Sequence, residues 1–437
     1  MPMALRASAA PLVGWALLVI GLGFAILWPE RRACEYIGEP GLVGIVDDIQ
    51  PMPDGGFVQV GFDHVRDADW ELLVIRSNPD GSFRWARRCG GFERDLARSV
   101  VVQPDGGMLI VGATRSLIPR APSADASPFN AWLLSLDPDG RLLWERAYGG
   151  ASYTSAEVAS RRRDGSHLVF GQRRSPEDPL KKQTWLLRLG SDGETLWSRI
   201  LGLGVLARPT PDGLTILAGQ RSRRLSGLHF SRKPPEALWW LATASWAGEV
   251  DWSWTFRFRP RDFQEDIRDL SVSSIAPTGD GGHLLAGAFR YGRRSAAWIV
   301  KLDSEGHEIW RRILDADPPP PGFMAFSLRD GGAYLVGQAH DENRDQLFWA
   351  ARFSADGEVV WQRRFLRGTP YAAPLSGGER LVIAGIAYGR ENSQHVLIVE
   401  PDGEATLVPP LGDQRRIWPP YRTPWVPALL WRPIRIG

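Results

Sequence analysis

The stretch Trp132-Leu-Leu-Ser-Leu-Asp-Pro-Asp-Gly140-Arg-Leu-Leu-Trp144 reads as a single β-hairpin. Strand-forming residues flank an acidic turn, and Asp-Gly provides the backbone conformations that a tight hairpin needs. Its skeleton is a Trp, a Gly eight residues on, and a second Trp four residues after that. The skeleton returns at Trp185/Gly193/Trp197, Trp240/Gly248/Trp252, Trp298/Gly306/Trp310 and Trp349/Gly357/Trp361. The end copies are eroded: Leu73/Gly81/Trp85 lacks the first Trp, and His395/Gly403/Leu407 lacks both. Five intact copies at one spacing mark an internal repeat.

A second signature alternates with the first. An Asp-Gly pair precedes a short apolar run, and a Gly stands seven residues after the Asp: Asp54/Gly61, Asp105/Gly112, Asp164/Gly171, Asp212/Gly219, Asp280/Gly287 and Asp330/Gly337. Gly378/Gly385 is a seventh copy without the Asp. Runs such as Met108-Leu-Ile-Val and Leu381-Val-Ile-Ala suit strands covered on both faces. Seven pairs of hairpins at roughly fifty residues per pair, with no helical pattern between them, predict an all-β, seven-bladed β-propeller of about 28 strands. Ring closure removes the exposed edges that an open array would keep.

Composition agrees with one folded repeat domain. The 437 residues are 43% hydrophobic and 23% charged, which excludes a disordered chain. A net charge of +2 gives no overall attraction to nucleic acid, and none is expected as a partner. Residues 12–28 form an uncharged apolar stretch after a short tail (1–11) and before Pro29-Glu30-Arg31-Arg32. No small-residue cleavage site follows it, so it reads as an uncleaved transmembrane signal anchor rather than a removed signal peptide. The expected plan is anchor, linker (29–41), propeller (42–410) and a Pro/Trp/Arg-rich tail (411–437) that packs on the propeller. Positive charges flank the apolar stretch on both sides and decide little about orientation. A short tail ahead of a large domain favours export, to a single-pass membrane protein with an extracytoplasmic, periplasmic propeller. Cys34 and Cys89 would then be free to pair in an oxidising compartment; two unpaired thiols is the other reading. Two cysteines are too few for an all-cysteine zinc site.

The unit Asp-Pro-Asp-Gly-Arg-Leu-Leu-Trp144-Glu-Arg-Ala-Tyr-Gly-Gly150, with Gly-Gly91-Phe-Glu-Arg-Asp and Gln-Pro-Asp-Gly-Gly107 elsewhere, resembles a widespread bacterial propeller repeat. In that group, Trp strands, Tyr-Gly-Gly loops and Asp-Gly-Gly hairpins alternate in secreted or envelope proteins. The resemblance spans roughly residues 42–410 and implies the fold, not an activity. A looser likeness is to propellers of the pyrroloquinoline-quinone (PQQ) type, in which an Asp, a Gly and a downstream Trp dock neighbouring blades. Asp137, Gly140 and Trp144 sit similarly here. The segment is one residue shorter, however, and lacks the Thr-Gly pair and the adjacent cysteines, so no cofactor is expected.

Candidate residues fall into three groups. Trp85, Trp144, Trp197, Trp252, Trp310 and Trp361 are read as wedges between blades rather than stacking platforms for a ligand. The Asp-Pro-Asp-Gly and Asp-Ser-Glu-Gly turns offer too few carboxylates for Ca²⁺, and the seven His show no ligand spacing, so no metal site is expected. No nucleophile elbow, phosphate loop or His-Glu-x-x-His motif is present. The third group lies on the face of the longer connections, opposite the tight turns: His64, Arg115, Arg174, Arg224, Arg290, Arg294, His340 and Arg390. Such a donor-rich surface suits a protein or an anionic envelope polymer, although Glu93, Asp95, Asp262, Glu265 and Asp266 share the face. The expected function is binding or scaffolding. The alternative is a PQQ-type oxidoreductase or a carbohydrate-active enzyme with a site in the central channel.

Overall fold

The computed structural model describes residues 34–37, 44–66, 69–91, 93–117, 129–150, 153–175, 182–201, 206–210, 213–218, 237–258, 267–291, 294–315, 323–340, 345–375, 378–387 and 393–408. The expected anchor (12–28) and tail (411–437) lie outside them. Every described regular element is a β-strand, and no described helix is long and apolar enough to cross a membrane.

The strands form seven antiparallel sheets, six with four strands and the first with five. Within each repeat, successive strands pair with their sequence neighbours. The first strands are Gly44–Pro51, Asp95–Val102, Thr154–Arg161, Leu206–Thr210, Ile267–Pro277, Phe323–Ser327 and Thr369–Pro374. Each touches the first strand of the next sheet, and Thr369–Pro374 returns to touch Gly44–Pro51. The sheets thus stand around a central channel lined by their first strands, which is the arrangement of a β-propeller.

Apolar strand residues supply the cement between sheets. Seven buried clusters each draw on two neighbouring sheets. The cluster of Val46, Ile49 and Phe57 with Ala373, Val382, Val396 and Val408 joins the last sheet to the first. Trp132 and Trp298, from the first half of the Trp/Gly/Trp skeleton, are fully buried. At roughly 200 Å² each, they contribute on the order of a few kcal/mol apiece.

The second Trp of each skeleton bridges to the next sheet's turn. A Cβ on Gly140 would stand 2.8 Å from Trp85, one on Gly193 2.9 Å from Trp144, and one on Gly248 2.6 Å from Trp197. Gly357 bears the same relation to Trp310 and Gly403 to Trp361. Trp310 Nε1 and Trp361 Nε1 donate to Ala355 O and Pro401 O in those turns, each at 2.8 Å. The side chain of Trp252 lies outside the described residues.

Three features go beyond the sequence reading. Among the described residues, the glycines seven residues after the Asp lie within strands: Gly61 is inside Phe57–Arg66 and Gly171 inside His167–Arg174. A Cβ there would overlap the carbonyl oxygen of Ile45 or Ser155 on the first strand, so close backbone approach requires glycine. Secondly, the stretch read as a linker contains a strand. Glu35–Ile37 pairs with Phe83–Cys89 as the fifth strand of the first sheet, and Cys34 forms a disulfide with Cys89. Thirdly, the last sheet meets the first through Val408, next to the eroded position Leu407, which is exposed.

Candidate functional site

The channel-lining strands contain the site. In four sheets the first strand carries an extra residue at the same place against its partner, a β-bulge, and in the fifth sheet a second irregularity lies between Arg268 and Ser271. The extra residues are Asp47, Arg98, Glu157 and Ser273. A bulge leaves its extra residue outside the ladder and re-aims the side chain. Asp47, Arg98 and Glu157 line a cavity of about 960 Å³ in the channel. First strands of other sheets add Arg208, Met324 and Tyr371, and the cavity reaches the tight-turn side at Pro53, Pro104 and Arg163.

The side chains of this cavity are electrically linked. Asp47 Oδ1 stands 3.4 Å from Arg98 Nη1, while Asp47 Oδ2 is enclosed without a hydrogen-bond partner among the described residues. Burial pushes the Asp47 carboxyl up to about 7; Arg98 opposes the rise, and Glu157 and Asp48 reinforce it. Asp48 accepts from Ser99 Oγ at 2.7 Å and Val100 N at 3.0 Å, tying the first sheet's inner strand to the second's. Burial also raises Asp48 against those hydrogen bonds, and Arg208 supplies a counter-charge. Burial lowers Arg208 in turn, opposed by Asp48. Burial works against the charge of Arg98 as well, but Asp47 and Glu157 outweigh it and hold the guanidinium above its ordinary value. Glu157 accepts from Ser155 Oγ at 2.5 Å. Ser273, by contrast, uses its hydroxyl structurally, accepting from Phe323 N at 2.9 Å.

At the mouth, the turn after Thr154–Arg161 brings Arg162 and Arg163 beside Arg161. Arg162 faces Asp164 at 3.7 Å, whereas Arg161 and Arg163 make no ion pair among the described residues. The cavity wall therefore holds five arginines (Arg98, Arg161, Arg162, Arg163, Arg208) against three carboxyl groups (Asp47, Asp48, Glu157). With Asp47 partly protonated at neutral pH, the balance is cationic. Guanidinium groups around a cavity with one proton-bearing carboxyl suit an anion that also accepts hydrogen bonds.

The residues singled out from sequence stand elsewhere. Strand pairing puts both tight turns of each sheet at one end of its strands and the longer connections at the other. His64, Arg174, Arg290, Arg294 and His340 belong to strand ends on the longer-connection side, and Arg115 directly follows Met108–Thr114. Arg115 lies 4.4 Å over the Phe129 ring and Arg174 5.6 Å over Tyr153, so each packs on an aromatic ring near its own strand. Arg290 is exposed. Arg224 and Arg390, and the side chains of His64, Arg294 and His340, lie outside the described residues. Asp95, named as a possible neutraliser, is buried. It accepts from Gly91 N at 2.9 Å and Ser116 Oγ at 2.6 Å, fixing a connection.

Sequence reasoning passed over the channel residues. Asp47, Arg98 and Glu157 each stand fourteen residues before a repeat glycine, Gly61, Gly112 and Gly171. Aligning the copies on that glycine would have exposed a column that is charged in three consecutive repeats. Elsewhere, Asp303, Glu305 and His307 bring ligand atoms within 4.8 Å of one another in an exposed turn. Asp303 Oδ1 there accepts from Glu305 N at 2.9 Å and His307 N at 2.8 Å, which is ordinary turn chemistry.

No family model matches the sequence, and no curated protein matches it. Among solved structures, a polysaccharide lyase aligns over 86% of this chain and 94% of its own, with a TM-score of 0.51 and 10% identity. At that identity the likeness is one of fold alone. The β-propeller domain of the Trilobed protease from Pyrococcus furiosus aligns over 86% of this chain and 100% of its own, with a TM-score of 0.43 and 12% identity. Puromycin hydrolase aligns over 90% of this chain, with a TM-score of 0.49 and 15% identity; the match spans 57% of that protein.

Proposed function

We propose that this chain is a seven-bladed β-propeller, held outside the cytoplasm by a membrane anchor at residues 12–28, that binds an anionic polymer. An acidic group of the polymer enters the tight-turn mouth of the channel. One observation carries this reading: Arg98, Arg161, Arg162, Arg163 and Arg208 line a single cavity, and two of them have no acidic partner among the described residues. The longer-connection face is the weaker candidate, because Arg115 and Arg174 are already engaged with aromatic rings.

Binding of the purified protein to polygalacturonate at rising salt tests the proposal. Retention falls with salt, as it does for exposed arginines on a polyanion. Arg161→Ala with Arg163→Ala weakens retention at least tenfold, whereas Arg115→Ala with Arg174→Ala leaves it unchanged. Absence of binding by the wild-type protein at low ionic strength would end the reading.

A second reading, an enzyme acting on such a polymer, is favoured by the enclosed Asp47 carboxyl with its unpartnered Oδ2. A titration point near neutrality suits general acid–base work. Its test is the release of shortened products from the polymer, lost in Asp47→Asn. The quinone variant of the enzyme reading predicts a visible cofactor absorbance in the purified protein.

A further inference from the structure

We infer that Asp47 is itself a ligand-binding residue, one that meets the bound anion as a neutral acid. Its carboxyl proton is donated to one anion oxygen while Arg98 supplies the charge, so binding draws a proton from solution wherever the free Asp47 is ionised. The inference rests on the channel reading above and specifies how that site works.

Geometry is the first support. The side chain of Asp47 is 11% exposed, and its two oxygens differ in kind. Oδ1 faces Arg98 Nη1 at 3.4 Å, well beyond the ~2.7–2.9 Å of a tight charge-assisted bond. Oδ2 has no hydrogen-bond partner among the described residues. The pair is therefore loose, and Arg98 retains donors for another acceptor. An ionised Asp47 would repel an anion arriving at Arg98. A protonated one presents an O–H donor, as a neutral carboxyl does, with no other acceptor among the described residues.

The surroundings decide which form prevails. From its own strand, Asp47 is faced by Asp48, from the second sheet by Arg98 and from the third by Glu157. Arg208 of the fourth sheet is directed at Asp48, and Tyr371 of the seventh lines the same cavity. Two further carboxyl groups and burial favour the neutral acid, with Arg98 as the opposing influence. An incoming anion adds a negative charge and occupies Arg98, which moves the balance further toward the proton. Reciprocal linkage then requires protons to tighten anion binding as much as the anion tightens proton binding.

The test is calorimetric titration of the full chain with trigalacturonate and, separately, sulfate, between about pH 5.5 and pH 8.5. Neither probe changes its charge in that range. Affinity rises toward tenfold per pH unit as pH falls from about 8.5 to about 7.5, then levels off below about 6.5. Buffers of different ionisation enthalpy report uptake of close to one proton per anion at about pH 8. Asp47→Asn, which keeps an N–H donor and cannot titrate, binds with pH-independent affinity, while Glu157→Gln keeps the slope. Wild-type binding that is independent of pH, with no proton uptake, would overturn the inference and leave the channel reading intact. Failure of both anions to bind at any pH would overturn the two together. The uptake measurement needs no variant, so a misfolded substitution does not obscure the result.

Discussion

Gly81 and Val408 are packed so closely that a Cβ on the glycine would overlap the valine methyls. They belong to the first and last sheets, and each takes the part that a turn glycine and a Trp play between the other sheets. Where Trp85 covers Gly140 and Trp144 covers Gly193, a valine is enough at the seam. Among the described residues, the seam is thus the interface with the smallest wedge.

Val408→Ala removes buried methyl groups at that seam and costs about 2 kcal/mol. Urea unfolding followed by Trp fluorescence measures it. A shift no larger than that of an exposed control such as Leu407→Ala would show that the last sheet is not closed onto the first through this residue.

The Trp wedges are expected to rank by burial. Trp85 is 6% exposed, whereas Trp197 is only partly buried. Trp85→Ala therefore lowers stability by roughly 3–5 kcal/mol and Trp197→Ala by less, though still with a sharply lower melting temperature. Equal or absent effects in thermal melts would contradict the wedge role.

Reduction of the Cys34–Cys89 disulfide, which closes a separation of 55 residues, releases the fifth strand of the first sheet. The expected loss is about 2–4 kcal/mol. Melting with and without reductant measures it, and Cys34→Ser with Cys89→Ser serves as the permanently reduced control.

His167 and His283 open the second strands of their sheets and are buried. Burial lowers each from 6.5 to about 4, opposed by Asp164 and Asp280 respectively; Arg161 lowers His167 further. The unfolded chain takes up these protons below pH 6.5 and the folded chain does not until about 4. Stability is therefore lost as pH falls through that window, by about 2 kcal/mol per histidine. His167→Gln with His283→Gln flattens the fall in urea midpoint between about pH 6.5 and pH 4.5.

Asp47 acts in the opposite sense. Its folded value lies above 3.8, at about 7, so the folded chain holds a proton that the unfolded chain releases. The stabilising contribution is present below about pH 4 and disappears as pH rises through about 7. Asp47→Asn is accordingly more stable than the wild type at pH 8 and similar to it near pH 4, again by urea midpoint.

Much of the ring was legible because hairpin turns need fixed residues at fixed places. Gly140 and Gly106 both adopt positive φ, 77° and 86°, as the Asp-Gly turns require. The wedge relation between Trp85 and Gly140 was visible only as spacing, since its two members lie in different repeats and meet only where neighbouring sheets pack together. Asp47, Arg98 and Glu157 were illegible for another reason. A ladder or turn residue must match its neighbours, whereas a side chain pointing into the channel obeys no local rule, and its only trace is a charged column fourteen residues before the repeat glycines.

The bulge has a last consequence for the ring. Gly61, Gly112 and Gly171 accommodate the carbonyls of the bulged strands, and the residue at each bulge has no cross-strand partner. Replacing that residue alters what the channel offers a ligand while every ladder pairing survives. Strand pairing within the sheets is therefore independent of which side chains stand at positions 47, 98 and 157.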